Sequence, residues 1–284
     1  MFENIKEKLS QNATVLENAL AACYNFTDDK NYSSLIEAQR YGLLGGGKRV
    51  RGFLVLEICR IFGGDVKKAI PYACAIEMIH ASSLIHDDMP CMDNDDVRRG
   101  KPATHKAFGE TLALLSGDAM LVNAFETAIN NPYFNANINA EAVKILANST
   151  GNHGMLAGQA IDTVGGQSML EFETLLCLHL LKTGKLISAS AKLGCLAAGI
   201  LIDDEEYFAT VKYAEDIGLA FQIIDDILDY KEGKRELNSF LTFMSLDDAK
   251  VYANKLTESG IEAIRPYDDG TLIELAHYLT AREY

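Results

Sequence analysis

Two aspartate clusters, each following an apolar stretch, carry the chemistry of this chain. The first is Asp87-Asp88-Met89-Pro90-Cys91-Met92-Asp93, continued by Asn94, Asp95 and Asp96. The second is Asp225-Asp226-Ile227-Leu228-Asp229. Burying so much like charge is unfavourable unless a cation neutralises it. Mg²⁺ is a hard ion held by carboxylates, and it commonly keeps waters and shares its coordination sphere with phosphate. Asp225 and Asp229 are four apart and project from one helix face. Phe221, Ile223, Ile224, Ile227 and Leu228 surround them, which argues against a merely solvated acidic face.

The first cluster has a different geometry. Six residues on a regular helix turn through about 600°, which leaves Asp87 and Asp93 off a common face. Pro90 disfavours helical geometry at Met89 and removes a backbone donor. The helix is therefore predicted to end there, letting Asp93 swing back toward an ion shared with Asp87.

Cations stand in two further places. Gly45-Gly46-Gly47-Lys48-Arg49-Val50-Arg51 is a glycine-rich turn feeding a helix start, a setting suited to an anion. Arg98-Arg99-Gly100-Lys101 follows the first acids, and adjacent arginines could serve two separate anions through their planar forks. Acids, Mg²⁺ and cations in this combination suit diphosphate groups. His80 lies two helical turns before Asp87. Lys182-Thr183-Gly184 interrupts an apolar run. Gln222 sits one turn before Asp225, and Gln159 and Asp162 lie on the helix through Gly158.

The elements that must position these groups are helical. The chain has 284 residues, 48% of them apolar, and only five prolines; strand-like alternation is nearly absent. Helices are predicted at roughly 2–24, 33–44, 50–62, 67–89, 104–130, 139–164, 170–199, 204–230, 245–259 and 269–282. Gly45-Gly46-Gly47, Gly63-Gly64 and Gly165-Gly166 are read as helix stops, and Asp65 and Asp203 as N-caps. No linker divides the sequence, so residues 1–284 are read as a single all-α domain, one large helical bundle. The stretch 186–202 is apolar on most faces and is expected at the centre of the bundle or against a second subunit.

A net charge of −14 argues against a nucleic-acid binder. Six cysteines without a C-x-x-C pair read as reduced thiols of a cytoplasmic protein. The opening Met1-Phe2-Glu3-Asn4-Ile5-Lys6 does not resemble a signal or transit peptide. No run of 18 apolar residues is present, so no membrane span is expected.

The stretches Leu84 to Pro102 and Phe221 to Asp229, with the Gly-Gly-Lys-Arg-x-x-Arg region, make the chain resemble the trans-isoprenyl diphosphate synthases, the family of farnesyl and geranylgeranyl diphosphate synthases. The likeness runs from that region to the last helix. It implies an all-α homodimer of the isoprenoid synthase type I fold, with a deep central cavity. It implies condensation of isopentenyl diphosphate with an allylic diphosphate, with two or three Mg²⁺ per site. By motif matching, Lys48, Arg51, His80 and Arg99 would hold isopentenyl diphosphate. Arg98, Lys182, Thr183 and Gln222 would meet the allylic diphosphate, the last three also lining the nascent cation. Asp87, Asp93 and Asp225 would bind Mg²⁺, with Asp88, Asp226 and Asp229 supporting directly or through water. No side-chain general base stands out, and none is needed if the departing pyrophosphate takes the proton.

Ser83 and Ser82, four and five residues before the first aspartate, would set the floor of the chain pocket. Their small size favours a C20 product over C15, unless Leu115, Met120 or Phe125 closes the floor. One departure is the short segment 230–238, where the family carries a longer loop with a lysine; Lys231 and Lys234 are the candidates there. Two alternatives remain. A class I terpene cyclase shares the Mg²⁺-diphosphate site, although its second motif differs and it has no second-substrate site. A non-catalytic subunit of a hetero-oligomeric synthase would have lost acids that are intact here.

Overall fold

The computed structural model describes residues 2–24, 30–165, 168–233 and 237–281. The helices are α1 (Glu3–Cys23), α2 (Ser33–Leu43), α3 (Val50–Ile61), α4 (Val66–Asp87), α5 (Thr104–Phe108), α6 (Glu110–Ile129) and α7 (Ala136–Thr150). They continue with α8 (Met155–Gly165), α9 (Phe172–His179), α10 (Lys185–Ala198), α11 (Glu205–Lys231), α12 (Leu246–Ile264) and α13 (Thr271–Thr280). A π segment, Leu180–Gly184, joins α9 to α10, and a 3₁₀ turn, Phe240–Thr242, follows α11. The all-α expectation holds.

α4 is the hub. It packs against α1, α2, α3, α6, α7 and α10, and its buried positions run round the helix from Ala69 to Ile85. α10 packs against α3, α4, α7 and α11, and is buried from Leu186 to Ala197, so the apolar stretch there is central. Gly194 permits the close α3–α10 crossing: a Cβ would lie 2.7 Å from the Ile58 side chain and 2.9 Å from the Val55 carbonyl. α12 and α13 close the bundle over α11.

Three predicted helices are interrupted. Residues 104–130 divide at Gly109, whose φ of 85° no ordinary helical residue adopts. Residues 139–164 divide at 151–154, where a Cβ on Gly154 would meet the Ser149 carbonyl at 2.0 Å. Residues 170–199 stay helical but pass through the π segment. Asp65 caps α4, accepting from the Lys67 N–H at 3.1 Å. The cap of α11 is Asp204 rather than Asp203. Gly166 and Lys234 lie outside the described residues. A short hairpin, β1 (Val97–Arg98) with β2 (Lys101–Pro102), was not expected. Its turn residues Arg99 and Gly100 both have positive φ, 52° and 74°, as a tight type I′ hairpin demands.

By length and composition α6 is apolar enough to cross a membrane, a property the sequence reading did not detect. It packs within the bundle against α2, α4, α5 and α7. Its outer face carries exposed Leu114, Leu115, Val122 and Ile129.

Arg49 knits the N-terminal half together. It is 3% exposed and adopts φ 51°. Its guanidinium donates to Glu17 Oε1 on α1 at 2.9 Å and to Glu77 Oε2 on α4 at 3.2 Å, and also reaches the Leu43 carbonyl ending α2. Glu77 Oε1 accepts from the Gly52 N–H at 2.8 Å, and Glu17 Oε2 from the Gly45 N–H at 3.1 Å. Removing one partner of such a network strands a buried charge, at a cost of about 3–5 kcal/mol. Arg49→Met is therefore expected to lower the urea midpoint sharply, with Glu77→Gln in the same chain restoring part of the loss. Equal stability of Arg49→Met and the parent chain would show that the network contributes nothing.

Candidate active site

α4 ends where Pro90 requires it. Asp88 is its C-cap, and the chain then turns back so that the Asp93 N–H donates to the Asp87 carbonyl at 2.9 Å. The two aspartates are thus neighbours across a closed turn, although a straight helix would separate them. Burial pushes the Asp87 carboxyl up to about 6, with Lys182 opposing and Asp93 and Asp88 adding to the rise. Asp93, on the exposed side of the turn, shifts the same way through partial desolvation, opposed by Lys182 and reinforced by Asp162 and Asp95. Asp88 is 2% exposed, and its Oδ1 accepts from Arg98 Nε at 2.8 Å and again from Nη2. Asp88 and Arg98, placed by sequence in metal and diphosphate binding respectively, thus hold each other. Arg98 also reaches Asp95 at 3.1 Å.

The cationic side is built on Arg49, which sequence reading passed over. With Arg49 fixed inward, its neighbours Lys48 and Arg51 are set on either side of it. The Lys48 ammonium lies 4.7 Å from the centroid of the Tyr278 ring. Arg51 Nε is buried without a hydrogen-bond partner. Burial lowers the Arg51 pKa, which Glu77 opposes and Arg99 reinforces. His80 is held well below its ordinary range by burial and then by Arg51, Arg99, Arg49 and Arg98, so it stays neutral among four guanidinium groups. Arg99 lies across the glycine turn: a Cβ on Gly46 would come within 2.9 Å of its Cδ, and one on Gly47 within 3.1 Å of its Cζ. The glycines admit this cation as well as shaping the turn.

Lys182 stands in the π segment, a helical irregularity common at functional sites. Gly158 of α8 lets that segment approach closely, because a Cβ there would be 2.3 Å from the Lys182 backbone nitrogen. The contact brings Asp162 within 2.5 Å of the Lys182 ammonium. On α11, Asp225, Asp226 and Asp229 are half-buried. Asp226 Oδ2 accepts from the Ser239 hydroxyl at 2.9 Å and the Phe240 N–H at 2.7 Å, tying the returning chain to α11. Burial raises its carboxyl to about 6 despite those bonds. One turn earlier, Gln222 Oε1 is 3.3 Å from His179 Nδ1.

Two cavities meet at Arg51 and Thr183. The larger, about 360 Å³, has Arg51, His80, Asp87, Gln159, Lys182 and Thr183 among its polar lining, and Ser82 and Ser83 along its wall. Leu121, Met155 and Leu186 contribute its apolar surface. The smaller, about 110 Å³, lies between Lys48, Arg51 and Thr183 and the apolar Leu54, Ile217 and Phe221. Leu115, Met120 and Phe125, named above as possible floor residues, do not line the larger cavity. Leu115 faces outward, and Leu121 is the α6 side chain that reaches in. The face of α6 toward α4 is the one bearing Gly117, against which the His86 ring rests, and Leu121 follows one turn later.

Among the described residues, no three His, Cys, Asp or Glu side chains are gathered closely enough to hold a metal ion. The donor chemistry still suits a hard divalent cation: Asp87 and Asp93 are oxygen donors of like charge, joined by one turn and opposed in common by the Lys182 ammonium.

The polyprenyl synthetase family model matches residues 33–241. This chain belongs to that family. It is 40% identical over 265 residues to geranylgeranyl pyrophosphate synthase 7, chloroplastic, of Arabidopsis thaliana, covering 87% of this chain and 76% of the relative. It is 40% identical over 264 residues to geranylgeranyl pyrophosphate synthase, chloroplastic, of Catharanthus roseus, covering 87% and 73%. An FPP/GFPP synthase structure from Zymomonas mobilis superposes with a TM-score of 0.91 at 37% identity, over 99% of this chain and 100% of that one. A geranyltransferase from Legionella pneumophila gives 0.90 at 33% identity, over 99% and 98%. The polyprenyl synthetase described here is accordingly a prenyltransferase with the all-α isoprenoid synthase fold.

The raised Asp87 pKa has a stability consequence. The folded state holds a proton that the unfolded chain releases between about pH 4 and 6. Asp87 therefore lowers stability as pH rises through that window. In metal-free protein at pH 7.5, Asp87→Asn is expected to raise Tm by about 2–4 °C, after allowing for partial solvent screening. The gain should vanish near pH 4. A Tm that falls at pH 7.5 would show that the carboxylate is not strained there.

Proposed function

We propose that this prenyltransferase condenses isopentenyl diphosphate with allylic diphosphates, releasing pyrophosphate, with geranylgeranyl diphosphate (C20) favoured over farnesyl diphosphate (C15). The larger cavity carries the reading: a charged mouth at Asp87, Lys182, Arg51 and His80 leads to an apolar interior bounded by Leu121, Met155 and Leu186. The first relatives are named geranylgeranyl pyrophosphate synthases, which supports the longer product. Ser82 is buried and lines the cavity, its hydroxyl satisfied by the Ile79 carbonyl at 2.8 Å, so it adds little volume where a large ring would block growth.

In this reading Asp87, Asp93, Asp225 and Asp229 would hold two or three Mg²⁺, with Asp88 and Asp226 orienting the turns that carry them. The metal, when bound, would neutralise charge developing on the leaving pyrophosphate. Arg98 and Lys182 add cations to the same diphosphate. Lys48, Arg51, His80 and Arg99 receive isopentenyl diphosphate, with neutral His80 donating a hydrogen bond without charge. The allylic C–O bond breaks, pyrophosphate leaves with the electron pair, and the isopentenyl alkene attacks the carbon. Loss of one proton to the departing pyrophosphate completes the condensation. Oxygen dipoles of Thr183 and Gln222 face the transient cation, and exclusion of water strengthens them.

A homodimer forms part of the proposal, because α6 exposes an apolar stripe that no other element covers among the described residues. The same packing of α6 within the bundle supports a chain with no membrane span, and the net charge of −14 supports one with no nucleic-acid partner. All six cysteines are free, which suits a reducing compartment, the cytoplasm in our reading. The test is product analysis by mass spectrometry with each allylic starter, isopentenyl diphosphate and Mg²⁺. Condensation lost on chelation and restored by Mg²⁺ is the expected result. Cyclisation of an allylic diphosphate alone would favour a class I cyclase. An inactive pure chain would favour a non-catalytic subunit. Ser82→Tyr should shift the product to C15 or shorter, and an unchanged length distribution would refute the pocket assignment.

A further inference from the structure

We infer that His179 is a positioning residue: its neutral imidazole fixes the amide of Gln222 in one orientation and links the 3₁₀ turn after α11 to the π segment carrying Lys182. The inference deepens the proposed reaction and rests on Gln222 lining its site.

Three contacts define the ring. Nδ1 is 3.3 Å from Gln222 Oε1. One face stacks on Phe240, with centroids 4.9 Å apart and planes at 21°. Nε2 is buried with no hydrogen-bond partner. Burial holds the ring below its ordinary pKa; the Gln222 hydrogen bond and Asp162 oppose this, and Lys182 reinforces it. An amide oxygen only accepts, so a neutral ring bonded to Oε1 must carry its proton on Nδ1. Nε2 is then a bare lone pair. That explains its isolation, since a buried N–H without an acceptor is rarer in folded proteins than an under-used acceptor.

The consequence falls on Gln222. Flipping its amide would set an NH₂ against the Nδ1–H, so the oxygen end is locked. That oxygen keeps its second lone pair, and both amide N–H groups remain available. The ring itself is held from the other side. Phe240 is fully buried, and its N–H is tied to Asp226. A continuous chain of contacts thus runs from Asp226 through Phe240 and His179 to Gln222, and His179 precedes Lys182 by three residues. A charged imidazolium here would add a cation beside Lys182, whereas the neutral ring supplies direction without charge.

His179→Phe retains bulk and stacking while removing the donor. It is expected to lower kcat about tenfold, as loss of one buried hydrogen bond allows. KM for both substrates should change less than twofold. Gln222→Leu should also lower kcat, and adding His179→Phe to it should cost less than a further twofold. If Gln222→Leu leaves kcat intact, the assignment of Gln222 to the reaction fails. If Gln222→Leu lowers kcat but His179→Phe does not, or if the two losses multiply, the positioning role fails. ¹⁵N-histidine NMR of the parent protein, with His179 assigned by difference, tests the tautomer even if a variant folds poorly. Nδ1–H with bare Nε2 at pH 7 is expected, and an Nε2–H tautomer or an imidazolium overturns the inference.

Discussion

Opposed fields, held apart by packed helices, are the constraint on which this molecule depends. At one end of α4, Asp87 and Asp93 share a turn and repel each other, relieved by Lys182. Two turns earlier on the same helix, His80 sits among four guanidinium groups. Neither grouping is comfortable alone, and both persist because α4 is packed on all sides. The stability of the hub therefore offsets the electrostatic strain of the site. The buried Arg49–Glu77 pair belongs to the same arrangement, since it anchors the turn from which Lys48 and Arg51 extend.

Much of this was legible in the sequence, because each signal was local. Pro90 announced the end of α4 and the return of Asp93. The spacing of Asp225 and Asp229 announced one helix face, and the glycine triplet announced a turn before a helix. What escaped needed tertiary information. The role of Arg49 depends on Glu17 and Glu77, far away in the chain; the one available hint was a lone glutamate in the apolar run Ala75-Ile76-Glu77-Met78-Ile79. The π segment has nothing in its apolar pattern to separate it from α-helix, and Gly158, which makes room for it, read only as a tolerated helical glycine. The Arg99-Gly100 hairpin is too short for alternation to show. Its turn nevertheless explains how adjacent arginines diverge, Arg98 toward Asp88 and Arg99 over Gly46 and Gly47.

The two acidic clusters are not equivalent. In the first, one member (Asp88) is fully engaged by an arginine. In the second, Asp226 is engaged by a backbone amide and a hydroxyl from the returning chain. The pattern is the same in both places: the middle acid fastens the local turn, and in the first cluster Asp87 lines the larger cavity. A repeated motif in the sequence thus corresponds to a repeated fastening role for its middle acid, achieved with different partners.

α6 joins two properties that could have been separate. One side of it sends Leu121 into the larger cavity, and another, about a third of the way round the helix, presents Leu115 and Val122 outward. A rigid rod cannot shift one flank and leave the other in place. Pressure on the outer flank therefore also bears on the cavity wall that Leu121 forms, so the exposed stripe and the interior are mechanically joined through one helix.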